Sequence, residues 1–61
     1  MTATLDRLLS SKEVAAVIQV SPSTLSRWRE HHDGPPWIDL GGIPRYRAHD
    51  IQLWTESQLQ K

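Results

Sequence analysis

The chain has 61 residues, which is enough for one small domain and too few to enclose a deep substrate cavity, so we do not expect an enzyme. It contains no cysteine, which excludes disulfides and cysteine-ligated metal sites. Seven basic residues balance seven acidic ones, and neither a signal peptide nor an apolar run near the ~20 residues of a membrane span is present. We therefore expect a single cytoplasmic domain over residues 1–61, with its core at about residues 9–58.

The first predicted helix covers about Ser11 to Gln19. Ser10 followed three residues later by Glu13 forms a capping box, in which each residue satisfies a backbone N–H of the other. Apolar residues then recur at helical spacing, at Val14, Ala15, Val17 and Ile18.

The second predicted helix covers about Pro22 to His31. Ser21 is a good N-cap, and Pro22 takes the first helical position, where its missing N–H costs nothing. Only residues 19–20 separate this cap from the first helix, and so short a connection predicts the sharp corner of a helix-turn-helix. Leu25 and Trp28 are expected to face inward.

A two-stranded wing is predicted at about residues 37–47. Alternation around Asp39 indicates a half-buried strand with Ile38 and Leu40 inward, and Gly41-Gly42 is a hairpin turn signal. In the second strand Tyr46 is expected to point into the core, with an arginine pointing outward on either side. Pro44 has no N–H to donate, which predicts that this strand lies at an edge.

The last predicted helix runs from Ala48 to about Leu59. Ile51 and Trp54 have helical spacing and are expected to pack across the first two helices. The predicted fold is therefore mainly α with a small β-hairpin, a winged helix-turn-helix made of three helices and a two-stranded wing.

The order and spacing of these pieces match a known group of proteins. The matching residues are Leu9-Ser10, Glu13-Val14-Ala15, Val20-Ser21, Ser23-Thr24-Leu25, Arg27-Trp28-Arg29-Glu30, Pro35-Pro36, Leu40-Gly41-Gly42, Arg45-Tyr46-Arg47, Asp50-Ile51 and Trp54. The sequence resembles the small winged helix-turn-helix proteins of the excisionase and AlpA-like group, relatives of the MerR DNA-binding domain. It departs from them at Gln19, where the group often has glycine, and at Ile43, where many members carry arginine after Gly-Gly.

Two sets of residues are candidates for binding double-stranded DNA. Short hydroxyls and arginines can reach base edges or phosphates, and arginines on a wing suit phosphates or a narrow minor groove. The second helix offers Ser21, Ser23, Thr24, Ser26, Arg27 and Arg29, and the wing offers Gly41, Gly42, Arg45 and Arg47. The alternatives are an ordinary solvated helix face and an edge strand whose charges block aggregation.

Three other groups of residues are interpreted as parts of the fold and not as binding or catalytic sites. His31, His32, Asp33 and His49 lack the spacing of a zinc site, so we expect neither a metal nor a cofactor. Trp28 and Trp54 are expected in the core, whereas Trp37 is the tryptophan expected to be partly exposed. Tyr46 is expected to be a core residue and not a nucleophile.

The resemblance implies an excisionase, also called a recombination directionality factor. Such a protein would bind and bend attachment-site DNA in a bacterial or phage-infected cell, assemble cooperatively on it, and assist a separate tyrosine or serine integrase. It would then be found with the nucleoid. Three alternatives stay open: an AlpA-like transcriptional regulator, the DNA-binding part of a phage packaging protein, and a protein–protein adaptor without DNA activity, which the zero net charge favours.

Overall fold

A computed structural model describes residues 7–59 of the chain. Its elements in chain order are strand β1 (Leu8–Leu9), helix α1 (Ser11–Ile18), helix α2 (Pro22–Glu30), strand β2 (Ile38–Leu40), strand β3 (Ile43–Arg47) and helix α3 (Ala48–Gln58). Three helices and an antiparallel hairpin confirm the predicted fold class. Each helix ends one residue earlier than predicted.

Helix α1 begins at the predicted capping box. The Ser10 Oγ accepts a hydrogen bond from the Glu13 N–H at 3.1 Å, and the Ser10 N–H donates to Glu13 Oε1 at 2.9 Å. The helix ends because Gln19 takes a left-handed conformation with φ of 61°. Glycine adopts this conformation without strain and glutamine does so at a cost, which the Val20 N–H offsets by donating to the Ala15 carbonyl at 3.0 Å.

The capping box makes the stability of the protein depend on pH. The hydrogen bond from the Ser10 backbone N–H, the largest effect, lowers the pKa of Glu13 below its ordinary value of 4.5. Since the folded-state pKa is the lower one, this carboxylate stabilises the fold above about pH 4.5, and that contribution is lost as pH falls through the folded-state pKa. We expect Glu13→Gln, which cannot titrate, to show a shallower loss of thermal midpoint between pH 6 and pH 3 than the unsubstituted protein. Parallel pH profiles would contradict this role for Glu13.

Helix α2 begins at the predicted cap and ends at Glu30, one residue before the predicted end. Ser21 caps it by accepting from the Thr24 N–H at 3.2 Å, with Pro22 in the first turn. Beyond its last residue the chain turns back through Gly34, which has φ of +77° and lies against the Trp28 indole. A Cβ at residue 34 would stand 2.6 Å from Trp28 Cε3, so only glycine fits this approach.

The sheet has three strands in the order β1–β3–β2, all antiparallel. The prediction that Pro44 confines its strand to an edge is therefore wrong, because β3 is the central strand. Pro44 is tolerated because β1 pairs only with Tyr46 and Arg47, so no strand flanks residue 44 on that side. On the other side Pro44 pairs with Asp39, next to the pair of Leu40 and Ile43 that closes the hairpin. Hydrogen-bonded and non-hydrogen-bonded pairs alternate along an antiparallel ladder, and this pair is a non-hydrogen-bonded one, so Pro44 needs no N–H there.

The core lies between the sheet and the three helices. It consists of Leu9, Val14, Ala15, Leu25, Tyr46 and Ile51. Trp28 and Trp54 close its side as a half-buried pair, with ring centroids 5.8 Å apart and planes tilted by 52°. This contact confirms that α3 packs on α2. The expectation that Ile38 and Leu40 face inward is wrong. They pair with Arg45 and Ile43, on the face of the sheet opposite Tyr46, and Leu40 is exposed.

Candidate nucleic-acid interface

A cluster of hydroxyl groups stands at the N-terminus of α2. The Ser21 Oγ lies 2.9 Å from Thr24 Oγ1 and 3.1 Å from Ser23 Oγ, and Ser21 and Ser23 are exposed whereas Thr24 is half-buried. The dipole of a helix favours anions at its N-terminus. Pro22 has no N–H, and the Thr24 and Leu25 N–H groups are bonded to Ser21, so the hydroxyl groups are the main donors here. The cluster therefore has the donors to meet a phosphate or a base edge.

One exposed face of α2 continues from this cluster. Ser26 and Arg27 follow Ser23 by three and four residues and all three are exposed, so they share a side of the helix away from Leu25 and Trp28. Within residues 7–59 the Arg27 guanidinium makes no hydrogen bond or ion pair, and all five of its N–H donors are available. Glu30 lies on the same side and is the one acid there.

Arg29 differs from the other candidates because its guanidinium is engaged within the protein. Its Nη1 donates to the Tyr46 hydroxyl at 2.7 Å and to the Ser11 Oγ at 3.0 Å, and its charged carbon lies 5.7 Å from the centre of the Trp37 ring. One side chain of α2 thus contacts α1, β3 and the segment that leads into β2. The arrangement fixes the helix relative to the wing.

The wing ends in a two-residue turn of glycines. Gly41 and Gly42 have φ of 63° and 90°, the left-handed values that a tight hairpin turn requires. The turn is held by Asp39, whose Oδ1 accepts from the Gly42 N–H at 2.6 Å. Nothing lies within 4 Å of either position where a Cβ would be added, so the tip is slender and open.

The two wing arginines alternate along β3 and lie on the side opposite Tyr46. Arg47 is exposed, with its Nη1 3.8 Å from Asp50 Oδ2, while Arg45 is half-buried and donates from Nη1 to the Pro44 carbonyl at 2.8 Å. Each keeps further N–H donors. The candidate residues therefore form two surface groups, one on α2 and one on the wing, with Thr24 and Arg45 half-buried and Arg29 between the helix and the sheet.

The residues expected to be structural are placed as follows. Tyr46 is 1% exposed and Trp37 is 41% exposed, which confirms the core role of the first and the partial exposure of the second. Within residues 7–59 no group of three or more histidine, cysteine, aspartate or glutamate side chains could hold a metal ion. In that same part of the chain no helix is long and apolar enough to cross a membrane.

Two features of the site were missed in the sequence. Strand β1 has only two residues, which is too short for a periodic signal. The contact between Arg29 and Tyr46 did have a signal, because a tyrosine pointing into a core needs a partner for its hydroxyl. The candidates for that partner were the basic and polar residues of the helices that pack on the sheet.

Two helices joined by a tight corner, a glycine-tipped hairpin and a closing helix define a winged helix-turn-helix domain. The family model described as "Helix-turn-helix domain" matches residues 8–59, and the chain belongs to this family, the AlpA- and excisionase-like small DNA-binding proteins. Searches of curated proteins and of solved structures gave no significant match. Domains of this family typically bind DNA and are not enzymes.

Proposed function

We propose that this protein is an excisionase, which binds attachment-site DNA through α2 and the wing and directs a separate integrase toward excision. The observation that carries the DNA-binding part is the exposed face of α2, where Arg27 stands with all its donors available beside the hydroxyls of Ser23 and Ser26. Such a helix suits the major groove, where arginine can bond guanine bidentately. The protein would then act where bacterial DNA lies, in the cytoplasm at the nucleoid.

In this proposal the candidate residues have different roles. The hydroxyl cluster of Ser21, Ser23 and Thr24 meets the phosphate backbone at the helix N-terminus, and Ser26 and Arg27 read base edges. Gly41 and Gly42 let the wing approach the duplex, and Arg45 and Arg47 contact phosphates on either side of the groove. Arg29 is a positioning residue, since its guanidinium holds the helix against Tyr46 and Ser11.

A monomer of this size has few positively charged side chains with which to bind DNA. Its seven basic residues are balanced by seven acids, and single DNA-binding modules bury only ~600–1,000 Å². We therefore propose that several copies bind adjacent sites cooperatively, which raises the occupancy that one weak site cannot reach alone. An AlpA-like transcriptional regulator would use the same surface and remains the second candidate.

The experiment that separates these roles is reconstituted excision. Purified protein is added to a candidate tyrosine or serine integrase and to a plasmid that carries both attachment junctions of that integrase, with duplexes of one, two and three sites titrated in parallel. The proposal expects excision only when both proteins are present and a Hill slope above one on the longest duplex. Binding without any gain in excision would leave the regulator as the function, and failure to bind any duplex would favour the adaptor.

The wing arginines give a prediction that needs no knowledge of the target sequence. We expect Arg45→Ala with Arg47→Ala to weaken binding to every duplex and to flatten the salt dependence, because removing one phosphate contact takes about 0.9 from the slope of log affinity against log salt concentration. Fluorescence anisotropy at four salt concentrations measures the slope. The matched control is the double lysine variant, which keeps both charges and should keep the slope. Lower affinity with an unchanged slope would show that the arginines act on folding and not on phosphates.

A further inference from the structure

The tip of the wing carries an apolar pair that the fold does not use. Leu40 and Ile43 face each other across the glycine turn as the first pair of the hairpin, and they are 45% and 52% exposed. Neither belongs to the core or packs against it. The area that the pair leaves in water contributes nothing to the stability of the monomer, so both side chains are available to a partner.

The register of the hairpin places this pair beside positive charge. Side chains alternate across a strand, so Ile43, Arg45 and Arg47 lie on one face of β3, and the cross-strand partner Leu40 shares that face. The acid nearest the tip, Asp39, pairs with Pro44 and points to the opposite face, where its carboxylate is already bonded to the turn. The face therefore presents an apolar end followed by two arginines.

We propose that Leu40 and Ile43 form a wedge that enters the minor groove and partly unstacks a base step, with Arg45 and Arg47 bound to the flanking phosphates. This inference rests on the proposed DNA-binding function and adds how the duplex is bent. Leucine and isoleucine are among the side chains that other minor-groove proteins insert between base pairs, and such insertion kinks the duplex by about 20–90° toward the major groove.

Two features of the tip favour DNA over a protein partner. Gly41 and Gly42 have no side chains, so the closing pair can come close to the floor of a groove that is only about 6 Å wide in B-form DNA. The arginines follow the apolar pair on the same face of the wing. When the apolar pair meets the bases inside the groove, the arginines therefore lie near the phosphates at its edge. Wedge insertion also predicts a preference for pyrimidine–purine steps such as TA, which unstack most easily.

The test uses a 30-base-pair duplex with one central TA step, end-labelled for energy transfer and carrying 2-aminopurine at that step. We expect the unsubstituted protein to shorten the end-to-end distance and to raise the 2-aminopurine fluorescence. Leu40→Ser with Ile43→Ser should return both signals to those of free duplex, while affinity falls only several-fold and the salt slope is kept, because the phosphate contacts remain. A duplex with GC in place of TA should show a smaller bend.

The matched control is Val17→Ser with Leu53→Ser, which removes two apolar side chains, 65% and 51% exposed, from α1 and α3. It should leave bending and affinity unchanged, and thermal unfolding of both double variants shows that each is folded. Unchanged bending in the Leu40/Ile43 variant would overturn the wedge. So would a loss of self-association in sedimentation with bending intact, which would make the tip a contact between proteins. If the unsubstituted protein binds no duplex at all, the proposed function fails together with the wedge.

Discussion

Replacing Leu25 with alanine is expected to unfold most of the protein at room temperature. Leu25 is fully buried on α2, within the cluster that includes Val14 and Tyr46. Truncating a buried leucine costs about 2–5 kcal/mol, because the lost transfer free energy adds to that of the cavity left behind. A domain of this size without disulfides or metals rarely has more than about 3–5 kcal/mol of stability, so the loss is comparable to the whole.

Thermal unfolding followed by tryptophan fluorescence measures this effect. For a domain of 60–100 residues, 1 kcal/mol corresponds to about 4–8 °C in the midpoint, so we expect a shift of at least about 8 °C or no cooperative transition. The matched control is Leu59→Ala, the same truncation at a residue that is 83% exposed. Its midpoint should stay within a few degrees of the unsubstituted protein. A similar small shift for Leu25→Ala would mean that the cluster around Leu25 does not carry the stability.

The helices of this fold could be predicted because their signals are local. The capping box of Ser10 and Glu13 and the cap of Ser21 followed by Pro22 each lie within four residues, and both appear in the structure as hydrogen bonds or first-turn positions. The glycine turn of the wing is likewise predicted from two adjacent residues, Gly41 and Gly42. Such features need no information about which distant segments meet.

The parts that sequence reasoning missed depend on long-range pairing. Leu8 and Leu9 become a strand only because Tyr46 and Arg47 offer a free edge, and that added strand makes β3 central in spite of Pro44. The contact of Arg29 with Tyr46 was missed because Arg29 and Arg27 are both arginines on one helix and were placed in one candidate set. Their positions two residues apart turn them to different sides, so that one faces solvent and the other reaches Tyr46.

That contrast gives the second large prediction, in which two arginines of the same helix have opposite effects. We expect Arg27→Ala to leave the thermal midpoint unchanged, because the side chain is exposed and makes no hydrogen bond or ion pair within residues 7–59, and to weaken specific binding by about 1–3 kcal/mol. We expect Arg29→Ala to destabilise the fold by about 1.5–3 kcal/mol, because it removes charge-assisted hydrogen bonds and leaves the buried Tyr46 hydroxyl without its donor.

Lysine variants separate charge from geometry at both positions. Lysine keeps the positive charge but lacks the planar fork that bonds guanine bidentately and the flat guanidinium that faces the Trp37 ring. Arg27→Lys should therefore keep affinity for scrambled duplex while losing the preference for the matched one, and Arg29→Lys should restore only part of the lost stability. The measurements are binding curves on matched and scrambled duplexes, taken beside thermal unfolding of each variant. If Arg27→Ala and Arg29→Ala lost the same stability, both arginines would be elements of the fold. If Arg27→Ala kept its affinity for both duplexes, Arg27 would not belong to the DNA interface.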